Sequence, residues 1–260
     1  MINLLHADLF RLKKSKALKG CLLVVTICAV LLAFVSHGVM EGEIDIAANT
    51  VSGLSDIFLM SVIVPLMVGI LICGDFESKD IHDAISCGRS AIVLSKTISF
   101  LLVVCILVLP YVLVAFIGFL SGGSFSELFG FSSYTNLLAS TGNYQKDSAT
   151  ILKTIGLLFT TIILYAGRLS ICIPVAFAVR KPVLVTAIGV VFGFVVDAAV
   201  AGMEKIDGLC DLIDMTPYTH QVITLEQSGG EYIKTIFISV VFIVIMSGIA
   251  YLLFRKSEVK

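Results

Sequence analysis

An all-α bundle of six transmembrane helices is the fold this sequence predicts, and three observations carry the prediction. Apolar residues fill 58% of the 260 positions against 14% charged, and the mean hydropathy is +1.03, a composition suited to lipid. The apolar residues gather into six runs, at 20–37, 55–73, 97–120, 151–179, 183–202 and 234–254. Each run is near the ~20 residues a helix needs to cross ~30 Å of hydrocarbon. Backbone polar groups inside lipid must be satisfied within the segment, so runs of this length are helices. The third observation is the uneven placement of Lys and Arg between the runs.

That placement sets the orientation. Arg11, Lys13, Lys14, Lys16, Lys19, Lys79, Arg89, Lys96, Arg180, Lys181, Arg255, Lys256 and Lys260 fall on one side. The other side has only Lys146, Lys153, Lys205 and Lys234. Basic residues favour the cytoplasm, so both termini are expected there. Residues 1–260 read as a single transmembrane domain with no soluble domain and no internal repeat.

Residues 1–19 come first, with Leu4, Leu5, Leu9 and Leu12 able to share one helical face. Such a segment fits an amphipathic helix lying in the headgroup region, its basic face toward lipid phosphate. Span one is too long for a signal-peptide core, which makes it a permanent anchor. Pro65, Pro110 and Pro174 fall inside spans two, three and four and predict kinks.

Three segments are expected outside. Residues 38–54 are acidic, with Glu41, Glu43 and Asp45. Residues 121–150 are rich in Gly, Ser, Thr and Asn, with aromatic residues interleaved, as for a segment lying along the membrane surface. Residues 203–233 run from an acidic stretch to Thr216-Pro217-Tyr218-Thr219-His220, the pattern of short helices or a re-entrant turn capping a bundle. Pro217 and Tyr218 are candidate residues of an external gate.

The longest polar insert on the basic side is 74–96, between spans two and three. Its Asp, Glu, Lys, Arg, Ser and His cannot lie in hydrocarbon, so it stands in water or against another protein.

Two ionisable residues lie deep in spans. Arg168 is roughly 16 Å along span four from its cytoplasmic end, and Asp197 roughly 21 Å along span five. The short turn around Arg180-Lys181-Pro182 makes these spans antiparallel neighbours, so the two charges can meet. Two readings stand at this point: a pair that fastens helices, and a charged contact on a substrate path or gate.

Catalytic patterns are missing. There is no G-x-x-x-x-G-K-[ST] to cradle ATP phosphates, no H-E-x-x-H, no G-x-S-x-G and no nucleic-acid motif. Seven scattered cysteines, without CxxC or ligand spacing to His, indicate neither a disulfide framework nor a metal site. The basic N-terminal run is better matched to anionic lipid than to nucleic acid. No enzymatic activity is expected of this chain.

Several features fall in a telling order. Leu4 to Lys16 reads Leu-Leu-x-Ala-Asp-Leu-Phe-Arg-Leu-x-Lys-Ser-Lys, and six spans follow with both ends inside. The insert after span two carries Phe76, Glu77, Ile81, Ile85, Ser86, Gly88 and Arg89 before Ser95-Lys96 enters span three. Span four ends in Ala-Phe-x-Val-Arg-Lys (Ala176 to Lys181), and Thr216-Pro217-Tyr218 precedes span six. In this order and spacing the chain resembles the membrane permease subunits of type-2 ABC transporters, in the branch that includes lantibiotic-immunity and peptide-export permeases. One departure is Lys79-Asp80, where such permeases usually have a small Gly-Thr step.

The resemblance implies a coupling helix in the insert, from Asp75 to Ser86, docking in a cleft of a separate ATP-binding subunit. Ile81 and Ile85, four apart, would form its inward stripe. Phe76, Glu77, Asp80 and Arg89 would complete the contact, and Gly88 would end the helix. It also implies two copies of that subunit carrying ATP and Mg, no cofactor on this chain, and a second permease, self or sister. The setting would be a bacterial cell membrane and the cargo an amphipathic peptide. Two rival classes remain open: a self-powered secondary transporter or channel, and a non-transporting membrane sensor or immunity protein.

Overall fold

Ser15 divides the first charged stretch from the first span. In the computed structural model, which describes residues 2–44, 53–78, 81, 85, 88–128, 132–144, 147–203, 213–219 and 222–256, α1 (Ile2–Lys14) ends just before Ser15. The Ser15 hydroxyl then accepts the Leu18 amide and starts α2 (Lys16–Met40). The N-terminal helix is therefore shorter than 1–19, because Ser at this position caps one helix better than it continues another.

Span two is α3 (Asp56–Val68), capped by Ser55 and continued by a π-helical stretch Gly69–Cys73 and a last turn Gly74–Glu77. Span three is α4 (Arg89–Ser121), whose 33 residues run roughly 50 Å, well beyond the hydrocarbon thickness. Span four is α6 (Ser148–Leu169) followed by α7 (Cys172–Val179), span five is α8 (Pro182–Met203), and span six is α9 (Gly229–Lys256). A short helix α5 (Ser133–Ala139) lies between spans three and four. Among the described residues there is no strand, and six helices are long and apolar enough to cross a membrane. The chain is an all-α, multi-pass membrane protein.

The three prolines behave differently. Pro110 sits within an unbroken α4. Pro174 accompanies a real break: a turn at Ser170–Ile171 separates α6 from α7. Its ring occupies the space that the carbonyl of residue 170 would take, and its missing N–H leaves that carbonyl to Ile173 N at 3.0 Å. Pro65 lies inside α3, four residues before the π-helical stretch.

α4 is the centre of the bundle and packs on α1, α2, α3, α5, α6 and α9. α8 packs chiefly on α3, where Gly189 lets the two approach: a Cβ there would stand 2.7 Å from Pro65 Cβ. Gly189→Val is therefore expected to wedge α8 off α3 and cost about 1–3 kcal/mol, read as a lower melting temperature in detergent. The outward faces of α2, α8 and α9 remain apolar, with Phe34, Val183, Val191, Phe237 and Val244 exposed. Such faces belong against lipid or another membrane subunit.

On the side opposite the basic residues, loops close over the bundle. The Ser36 hydroxyl donates to the Ser126 carbonyl at 2.6 Å, and His37 Nδ1 meets the Ser124 carbonyl at 2.8 Å. α5 seats on α4 where Gly118 leaves room for Leu138. A capping box between Ser228 and Glu231 opens α9.

Candidate functional site

The ends of four spans converge on the basic side. Phe76, from the last turn after α3, meets Phe177 of α7 and Phe254 of α9 edge-on, with ring centroids 6.2 Å and 6.1 Å away. Phe177 and Phe254 lie 5.2 Å apart. Arg180 stands 4.8 Å over the Phe76 ring, and Arg89, at the start of α4, stands 5.5 Å over Phe254. The Arg89 guanidinium also donates to the Phe254 and Arg255 carbonyls, the open end of α9. Arg180 adopts a left-handed conformation (φ 56°) that ends α7 and turns its side chain onto Phe76.

Two residues assigned to a docking surface thus face inward in part. Phe76 is half-buried and Arg89 holds the C-terminal turn of α9. Glu77 is exposed, as is Ser78 beside it. Asp80 lies outside the described residues.

Ile81 is a correction. At 2% exposure it belongs to this chain's own core, and the half-buried Ile85 packs against that same core. A free apolar stripe at the membrane edge has apolar neighbours within its own chain, and burial there removes it from water without waiting for a partner. Ile81 thus faces this chain's own core, and Ile85 lies partly against it. Ile81→Ala should cost about 2–5 kcal/mol of stability, measured by thermal unfolding, a cost that an open docking residue would not carry.

The second group lies in the membrane interior. Arg168 Nη2 and Asp197 Oδ1 form an ion pair at 2.5 Å, joining span four to span five just before the Ser170–Ile171 break. Tyr218, carried in from the far-side segment, donates its hydroxyl to the Arg168 carbonyl at 2.9 Å. Its ring lies 5.7 Å beneath the guanidinium. Burial pushes the Tyr218 phenol above its usual range while Arg168 opposes that shift, so the group stays neutral and able to donate. Phe192 and Phe242 meet the Tyr218 ring edge-on, and the adjacent Pro217 is buried. The described turn at 213–219 thus sets Pro217 and Tyr218 against the ion pair.

Two polar groups escaped the sequence reading. On the far side, the fully buried Asp56 accepts a hydrogen bond from Tyr165, and Tyr134 of α5 stacks between Tyr111 and Tyr165 at 6.1 Å and 6.3 Å. Among the described residues no Lys or Arg pairs with Asp56, and the Tyr134 hydroxyl has no hydrogen-bond partner. Burial, with Asp56 close by, raises the Tyr134 phenol well above its usual range. On the basic side, Lys96 is buried between Asp8 and Asp75. Sequence reasoning used Lys96 for orientation and in the Ser95-Lys96 step of the resemblance, not as an ion-pair partner; its place at the start of span three, with carboxylates in two earlier segments, was the available signal. No family model matches the chain, and no curated protein matches it.

Proposed function

We propose that this chain is the membrane-spanning subunit of an ATP-driven exporter of the type-2 ABC kind, in a bacterial cell membrane. It works with two copies of a separate ATP-binding subunit, which carries ATP and Mg, and with a second permease, either itself or a sister chain. Its cargo is an amphipathic peptide of the lantibiotic or bacteriocin type, or another hydrophobic molecule taken from the lipid. The chain itself catalyses no reaction.

The observation that supports this reading is the convergence on Phe76. A force applied beside it reaches α7 through Phe177 and α9 through Phe254, while Arg89 ties the start of α4 to the same point. An export subunit driven from its basic side needs such a joint. Glu77 and Ser78 are exposed beside that joint, where a motor would have access.

The test is purification of the full chain with an ATP-binding partner, followed by peptide clearance in sealed vesicles. ATP-dependent clearance is expected, and flux driven by an ion gradient without ATP would overturn the reading. Glu77→Arg is expected to lower capture of the ATP-binding subunit while leaving stability within about 0.5 kcal/mol, the usual effect of a surface change.

A further inference from the structure

Lys96 stands eight residues into α4 and is 2% exposed, a burial Lys tolerates only when paired. Its ammonium is 2.6 Å from Asp8 Oδ1 on α1 and 2.6 Å from Asp75 Oδ2 in the turn after α3. The other oxygen of Asp8 accepts the Ser95 hydroxyl at 2.7 Å, and the other oxygen of Asp75 accepts Arg11 Nη1 at 2.8 Å. Among the described residues, five side chains from three elements therefore form one chain of contacts, Ser95–Asp8–Lys96–Asp75–Arg11, in which two carboxylates alternate with two cations.

The two halves of this chain differ in wetness. Side-chain exposure is 4% for Asp8, 17% for Asp75 and 51% for Arg11. The Lys96–Asp8 contact is dry, where an ion pair is strong and salt has little reach. The Asp75 contacts open toward water and are correspondingly weaker. Two features beside Asp75 leave it room to move. A cleft of about 330 Å³ separates α1 from the end of span two, lined by Leu12, Ser15, Met67, Leu71 and Gly74 among others. Directly before Asp75 runs the π-helical stretch Gly69–Cys73, a geometry that holds one residue more per turn than the α-helix needs.

We infer that Lys96 joins the N-terminal helix to the polar insert as a two-position latch. Lys96–Asp8 is its fixed bolt, and Asp75 is its releasable arm. The π stretch is the joint at which Asp75 can swing off Lys96 while the Phe76 ring keeps its contacts with Phe177 and Phe254. The insert then moves relative to α1 and α4 while these two stay together. That the arm is driven by ATP rests on the function proposed above; the latch itself does not.

Hydrogen exchange of the full chain in lipid nanodiscs tests it. Asp75→Asn is expected to speed exchange over 69–78 by about tenfold and to leave 2–14 unchanged. Asp8→Asn is expected to free 2–14. These variants keep one carboxylate on Lys96, so neither leaves the ammonium alone. In the unaltered chain, raising salt from about 0.01 M to about 1 M should speed 69–78 and not 2–14. Equal loosening of both segments by Asp75→Asn, or no change in either, overturns the latch. With the ATP-binding partner present, Asp75→Asn should lower peptide cleared per ATP hydrolysed. If no ATP-coupled clearance exists even in the unaltered protein, the proposed function fails while the exchange pattern still decides the latch.

Discussion

Arg168→Leu is expected to destabilise the protein by about 3–5 kcal/mol, because it removes the guanidinium bonded to the Asp197 carboxylate within the spans. The pair is direct, at 2.5 Å, and Tyr218 closes over it. The double change Arg168→Leu with Asp197→Leu should recover most of that loss, since two apolar side chains of similar size remove both charges together. Reversible unfolding in detergent of both single variants and the double variant measures the coupling. Additive losses would mean that the two groups do not depend on each other. Asp197→Asn separates the two roles left open by the sequence: an intact, stable chain that no longer clears peptide puts the carboxylate on the transport path. A matched loss of folded protein assigns it to fastening.

Tyr134 is the second site of large expected effect. It is fully buried, stacked on Tyr111 and Tyr165, and belongs to a helix that seats on α4 through Leu138. Tyr134→Ala should cost about 3–5 kcal/mol, the range for deleting a buried aromatic ring. Tyr134→Phe should cost little or even stabilise, because the hydroxyl it removes has no partner among the described residues. Tyr165→Phe has the opposite expectation: it deletes one donor to Asp56 and leaves that buried carboxyl group with less compensation, a loss of about 1.5–3 kcal/mol. A melting series in which the two Tyr→Phe variants behave alike would remove the distinction between ring packing and hydrogen bonding here.

The spans were legible because the bilayer imposes a length and a polarity that any sequence must meet locally. Six apolar runs match six helices, and several residues that the Lys and Arg count placed on one side lie close together: Arg11 and Lys96 share Asp75, and Arg89 donates to the Arg255 carbonyl. The depth argument for Arg168 and Asp197 worked for a related reason, since rise per residue converts directly into height along antiparallel helices. A turn around Pro217 and Tyr218 was readable from the breakers there, although the contact of Tyr218 with Arg168 was not.

What escaped the sequence depends on direction about a helix axis and on partners far apart in the chain. Ile81 and Ile85 have the spacing of an apolar stripe whether they face a partner or their own core, and periodicity cannot tell these apart. Ser15 is one hydroxyl among many until its oxygen is seen to cap α2. Asp8 and Asp75 are 67 positions apart and Lys96 follows 21 later, and each alone reads as a solvated charge. Local chemistry thus determined which segments enter lipid, how many there are and which side carries the positive charge. Only the packed bundle decided that Lys96 is buried between two carboxylates rather than solvated, because the desolvation of each charge is tolerable only once all three have been brought together.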